Sequence, residues 1–224
     1  MSGGRETRRV EPVALFDRAG VSLGGRPVLR GVDLSLAPGE VVGISGPNGS
    51  GKTTLIRTAA TLTSPDHGSV TVLGRDSRDR DLLTTRRSIG LIGHSPGLIG
   101  ELTLGENLDH VARLAGIERV RVGRALDVVG LSEVAGRRAD ASSFGMRRRV
   151  EIARLLLTKP RLLLLDEAAS GLDEAARQLI DALVESVCAR GGACIVASHD
   201  QAHLEGLCTR LASLSGGSLE EATA

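Results

Sequence analysis

The nine residues Gly46-Pro47-Asn48-Gly49-Ser50-Gly51-Lys52-Thr53-Thr54 bring three glycines, one ammonium and three hydroxyls into an uninterrupted run. The glycines at 46, 49 and 51 admit backbone angles closed to residues with a Cβ, so successive N–H groups can turn inward around a phosphate where the next helix begins. Pro47, Asn48 and Ser50 complete the interval of the pattern G-x-x-x-x-G-K-[ST]. Lys52 is expected to reach the β- and γ-phosphates, and Thr53 to offer its hydroxyl to Mg²⁺. Thr54 carries the same group one residue later and reads as a helix-packing residue at the edge of the same site. A Gly-rich turn that ends in Lys-Thr by accident is the plainer account. The apolar run Val41-Val42-Gly43-Ile44-Ser45 before it and Leu55-Ile56-Arg57 after it argue against that account, because strand, loop and helix are the context in which this spacing grips a nucleoside triphosphate.

Two further clusters carry chemistry. Arg161 to Leu165 contains four consecutive leucines and ends in Asp166-Glu167, while Ala193-Cys194-Ile195-Val196-Ala197 ends in Ser198-His199-Asp200. Asp166 at the end of an apolar strand is placed to hold Mg²⁺ through water. Glu167 then has the position of a general base that orients or deprotonates the attacking water, with Lys52 and Mg²⁺ taking up the developing charge. The competing role, capping of the next helix, ranks below this because a phosphate loop lies upstream. His199 after the following strand would contact the γ-phosphate as a hydrogen-bonding sensor; alone, one histidine is a weak signal.

The elements that must position these groups alternate between strand-like and helical segments, which predicts an α/β fold with a largely parallel sheet and its functional loops at the strand carboxyl ends. Asp173 to Arg190 reads as a helix stopped by Gly191-Gly192. From about residue 86 to 155 the pattern is mostly helical and reads as an inserted subdomain, with the core about 13–85 and 156–224. Thr103-Leu104-Gly105-Glu106 is a capping box opening a helix toward Leu114, and Ser132-Glu133 marks another start. Residues 1–12, polar and Arg-rich, read as a disordered tail.

Composition removes several function classes. Lys and Arg number 28 against 27 Asp and Glu, so no net charge points to nucleic acid as a partner. No apolar run approaches the roughly 18 residues needed to cross a bilayer. The three cysteines, Cys188, Cys194 and Cys208, lack metal-site spacing and read as reduced core thiols.

The order of phosphate loop, helical insert, Asp-Glu strand end and Ser-His-Asp strand end resembles the nucleotide-binding subunit of an ABC transporter from about Val13 onward. The resemblance implies a P-loop cassette with a RecA-like mixed-sheet core and an inserted α-helical subdomain. It also implies an ATP-hydrolysing subunit that forms a homodimer around ATP and Mg²⁺ and drives integral-membrane permease subunits from the cytoplasmic face. The family's signature loop, LSGGQ, corresponds to Ser142-Ser143-Phe144-Gly145-Met146. Ser143 and Gly145 keep the hydroxyl and open backbone that meet the γ-phosphate on the opposite subunit, whereas Phe144 replaces a glycine. Arg147 to Arg149 read as a solvated helix face. Ser170-Gly171-Leu172-Asp173 matches the loop that links the two ATP sites across the dimer, and Asp173 would also cap the next helix. Leu23 aligns with the position that usually stacks an aromatic ring on adenine, so base recognition is expected to rest on aliphatic packing and to discriminate loosely between ATP and GTP.

Ile92-Gly93-His94-Ser95-Pro96-Gly97, continuing through Glu101-Leu102-Thr103 to Glu106-Asn107-Leu108, resembles more narrowly the haem-exporter ATPases of cytochrome c biogenesis, the CcmA type. His94 stands where most relatives carry Gln and would offer an imidazole to Mg²⁺ and the attacking water. The same motifs suit a drug- or lipid-type export subunit and, more remotely, a soluble ABC-type ATP switch.

Overall fold

Four leucines in a row satisfy a strand only when both faces of its sheet are covered, and Leu162 to Leu165 divide accordingly: Leu162 and Leu164 enter one hydrophobic core, Leu163 and Leu165 the other. A computed structural model describes residues 11–221. The strand holding these leucines, β7 (Leu162–Asp166), lies in a six-stranded sheet ordered β10-β9-β3-β8-β7-β6. Its members are β3 (Val41–Ser45), β6 (Ile89–Ile92), β8 (Ala193–Ala197), β9 (Arg210–Ser215) and β10 (Ser218–Glu221). All neighbours pair in parallel except the antiparallel β9–β10 hairpin.

One face of this sheet is covered by a second, antiparallel sheet, ordered β2-β1-β4-β5, together with helix α1 (Lys52–Ala59). Its strands are β1 (Ala14–Leu23), β2 (Arg26–Leu36), β4 (His67–Val72) and β5 (Arg75–Asp76). Phe16, Leu29, Leu36, Leu55 and Ile56 fill that core. On the other face lie α3 (Leu104–Ala115), α4 (Val120–Val128), α5 (Phe144–Thr158) and α6 (Glu174–Ala189). Two short helices, α2 (Leu83–Arg87) and α7 (Gln201–Leu207), link strands.

Local signals set the helix ends. Thr103 and Glu106 form the expected reciprocal capping box at α3, and Gly116 ends it in the left-handed conformation. Asp173 caps α6 by accepting the Ala176 N–H at 2.8 Å. Two expectations differ. Ser132-Glu133 opens only a single 3-10 turn, Ser132–Val134, because the Ser132 hydroxyl bonds the preceding Asp127 carboxylate instead of a downstream N–H. The stretch read as helical from 86 onward includes β6, whose four residues with an internal glycine are too short to announce a strand; Gly90 is needed there because a Cβ would lie 2.7 Å from Leu155 Cδ2. The tail read over 1–12 falls outside the described residues up to residue 10.

Candidate active site

Parallel strands deliver their carboxyl ends to a single edge of the sheet, and the loops leaving that edge meet. After β3, β6, β7 and β8 those loops carry Gly46 to Gly51, His94, Glu167 and His199. They enclose a cleft of about 440 Å³.

The first loop is shaped by two glycines that no other residue could replace without distortion. Gly46 has φ 144°, and a Cβ there would stand 2.2 Å from the Leu214 carbonyl oxygen; Gly51, at φ 111°, caps α1, and its Cβ would stand 3.2 Å from the Val28 carbonyl oxygen. Lys52 is buried, and its ammonium donates to the Gly46 and Pro47 carbonyls at 2.7 and 3.1 Å. Asn48, Gly49, Thr53 and Thr54 line the cleft beside it. Ser50 is buried, with a hydroxyl that finds no partner among the described residues. The first turn of α1 carries no acidic residue. An ammonium and a positive helix end in one concavity suit a polyphosphate.

Opposite the loop, Asp166 pairs in register with Ala197, so Glu167 and Ser198 leave adjacent strands side by side. Asp166 is 5% exposed and faces the cleft together with Thr53. No cluster of three or more His, Cys, Asp or Glu side chains fit to hold a metal occurs among the described residues. A hydroxyl and a single carboxylate fit a cation that completes its shell with phosphate oxygens and water, as Mg²⁺ does. Glu167 adopts φ 53°, a left-handed conformation uncommon for a residue with a Cβ. Its N–H donates to the Ala197 carbonyl at 2.9 Å, and its Oε2 lies 2.8 Å from His199 Nδ1. Such a conformation costs about 1–3 kcal/mol and persists where the surroundings demand it. His94 forms a further wall of the cleft.

Three residues singled out from the sequence stand away from this cleft. Ser143 caps α5 by accepting the Met146 N–H at 3.2 Å, and Gly145 sits in the first turn of that helix. Asp173 accepts the Ala176 N–H and pairs with Arg149 at 3.0 Å; the N–H first and the guanidinium after it hold its carboxyl below the usual range. None of the three lines the cleft. Leu23 is 50% exposed and also lies off it, while Val28 on β2 contributes the aliphatic wall.

The arginine run is not a solvated face. Arg147 donates to the Ser142 carbonyl at 2.6 Å, Arg149 reaches Asp173, and Arg148 is fully buried beside Glu151 at 2.7 Å. Burial raises the Glu151 carboxyl, opposed by the Gly97 N–H and by Arg148. Sequence reasoning missed Arg148 and Glu151, and it named Ser170, which lines the cleft, only as part of the loop Ser170-Gly171-Leu172-Asp173. The signal for Arg148 and Glu151 was the helical spacing of Arg148, Glu151 and Arg154, the last two being the only charged residues from 150 to 157.

Comparison with known proteins agrees with this arrangement. A family profile described as ABC transporter matches residues 29–170. The Nod factor export ATP-binding protein I of Rhizobium sp. (strain N33) is 38% identical over 208 residues, covering 90% of this chain and 68% of that protein. The cytochrome c biogenesis ATP-binding export protein CcmA of Cupriavidus necator is 39% identical over 192 residues, covering 84% and 83%. Among solved structures, a dimeric ATP-binding cassette in a post-hydrolysis state, bound to ADP and phosphate, aligns with TM-score 0.82 and 26% identity over 94% of this chain and 99% of that one.

Proposed function

Since the chain belongs to the ABC transporter family as an ATP-binding, ATP-hydrolysing subunit, we propose that it works as a homodimer which drives an export permease of the cytochrome c biogenesis, haem-export type. Lys52 neutralises phosphate oxygens of bound ATP, the backbone of 46–51 cradles them, and the aliphatic side chain of Val28 packs the adjacent wall. Thr53 and Asp166 would hold Mg²⁺, which supplies Lewis-acid stabilisation of the charge on the transferred phosphoryl group. Glu167 orients the attacking water and accepts its proton; His199, hydrogen-bonded to the same carboxylate, holds Glu167 in place and meets the γ-phosphate. His94 offers its imidazole to the water from the third wall.

The observation carrying this reading is the meeting of Lys52, His94, Asp166, Glu167 and His199 around one cleft. The off-cleft positions of Ser143, Gly145 and Asp173 support the dimer: a signature loop that does not reach its own chain's cleft suits a role at the partner's. The described residues contain no helix long and apolar enough to cross a membrane, which agrees with a peripheral subunit leaving the membrane path to a permease.

The haem-export assignment rests on Gly93-His94-Ser95-Pro96-Gly97 and on likeness to the Cupriavidus protein. The Rhizobium protein, of comparable identity, is named for the export of a different cargo, Nod factor, and a drug- or lipid-type export subunit, which the same motifs suit, is the second reading. One variant tests both layers. Glu167→Gln should bind ATP as the wild type does, lose roughly 10²- to 10⁴-fold in turnover, and lock the dimer onto its permease. The locked complex, captured from native membranes and identified by mass spectrometry, should contain a haem-exporter-type permease. A different export permease overturns the cargo, and unchanged turnover overturns the role of Glu167.

A further inference from the structure

One face of α5 presents three charged side chains at successive helical turns, Arg148, Glu151 and Arg154, and all three bond the backbone of the segment that ends β6 and carries His94. Arg154 Nη2 donates to the Leu91 carbonyl at 2.8 Å. Arg148 donates from Nη1 to the Gly93 carbonyl at 2.8 Å and from Nη2 to the His94 carbonyl at 3.0 Å. Glu151 accepts the Gly97 N–H on Oε1 at 3.1 Å and the Arg148 Nη1 on Oε2 at 2.7 Å.

Beyond these bonds the loop is anchored at its far end, where Leu98 packs against the core. Strand pairing stops at Ile92, and from Gly93 to Leu98 no backbone-to-backbone bond occurs among the described residues. A Cβ built at Gly93 or at Gly97 would meet nothing within 4 Å, so packing does not wedge the loop at either point. An ion pair as buried as this one, 0% and 6% exposed at its side chains, is a poor choice for stability, since apolar side chains of similar volume commonly serve a core as well or better. Apolar side chains cannot, however, grip two carbonyls and an N–H.

We propose that Arg148, oriented by Glu151, is a positioning residue for ATP hydrolysis: it fixes the His94 backbone so that the imidazole stays on the cleft wall, and it makes the helix capped by Ser143 and the His94 loop move as one piece. This rests on the hydrolysis reading above. Phe144 belongs to the same device, because the Arg148 guanidinium carbon lies 5.2 Å from the centre of its ring, within cation–π range. The bulky ring in the signature loop thus covers the outer end of the clamp.

Arg148→Lys keeps the charge and loses the fork that reaches both carbonyls at once. In the full-length protein it should retain cooperative thermal unfolding and bind a fluorescent ATP analogue within about twofold of wild type, with kcat lowered about tenfold or more, as small misplacements of reacting groups do. Introduced into His94→Ala, the same substitution should change kcat by less than about twofold, because two groups acting through one contact are not additive. Should Arg148→Lys fail to unfold cooperatively, Glu151→Gln, which preserves shape while weakening the hold on the guanidinium, carries the same comparison. An unchanged kcat, or a loss that multiplies in full with His94→Ala, overturns the positioning role. Wild-type turnover is measured alongside: its absence overturns the hydrolysis reading itself, while intact turnover with an indifferent Arg148 overturns only this inference.

Discussion

Lys52 shows how one side chain serves both the loop and its ligand. Its ammonium, buried in the cleft, is bound by the carbonyls of Gly46 and Pro47, which hold the loop closed around the position a phosphate takes. Charge-assisted hydrogen bonds contribute about 1.5–3 kcal/mol, so Lys52→Ala should weaken ATP binding roughly 10- to 100-fold. Equilibrium titration with a fluorescent ATP analogue measures this, and an affinity within twofold of wild type would remove Lys52 from the binding account. The phosphate-loop residues and the Asp166-Glu167 pair were legible from sequence because each contact follows from local spacing. Arg148 was not. Its neighbours, Gly93 and His94, lie 55 and 54 residues away in the chain, and apart from the spacing to Glu151 and Arg154, nothing in Arg147-Arg148-Arg149 itself says which of three adjacent arginines turns inward.

At the scale of elements, α6 was legible nearly to the residue, since Asp173 and Gly191-Gly192 are start and stop signals that act within one turn. The antiparallel sheet was not read at all. β1 pairs with β2 and β4 through register shifts between Phe16 and Ala19 and between Asp17 and Gly20, which break the alternation by which a strand is recognised. The Asp173 cap also ties α6 to α5 through Arg149, and this has a pH signature. The Asp173 carboxyl is held below its ordinary value by the Ala176 N–H and by Arg149. A depressed folded-state pKa stabilises the fold above the unfolded-state value, about 4, and that stabilisation disappears as the pH falls through the lower folded value. Asp173→Asn should therefore melt below wild type at pH 5 to 7, with the gap closing progressively below about pH 4. A gap that stays constant down to acid pH would mean that the carboxylate's charge contributes nothing.

At the scale of the whole molecule, the sheet edge gathers the nucleotide groups while the amino end of α5 presents Ser143 and Gly145 elsewhere. In the homodimer proposed above, a single chain would hold one half of each composite site, and two chains related by a twofold axis would complete two sites with the same pair of surfaces. Complementation tests this arrangement more sharply than a measurement of mass. Lys52→Ala should inactivate the phosphate loop of its own chain, and Ser143→Arg should block the signature loop that serves the partner's. Each variant alone should be inactive. Mixed in equal amounts and allowed to exchange, half of the dimers would pair one variant with the other, and each such dimer would carry one intact site, formed by the Ser143→Arg chain's phosphate loop and the Lys52→Ala chain's signature loop. Turnover should then recover to about a quarter of wild type, as random assortment of a symmetric dimer requires. If instead the mixture stays as inactive as its components while wild type remains active, the two halves of each site must come from one chain, and the homodimer is not the hydrolysing unit.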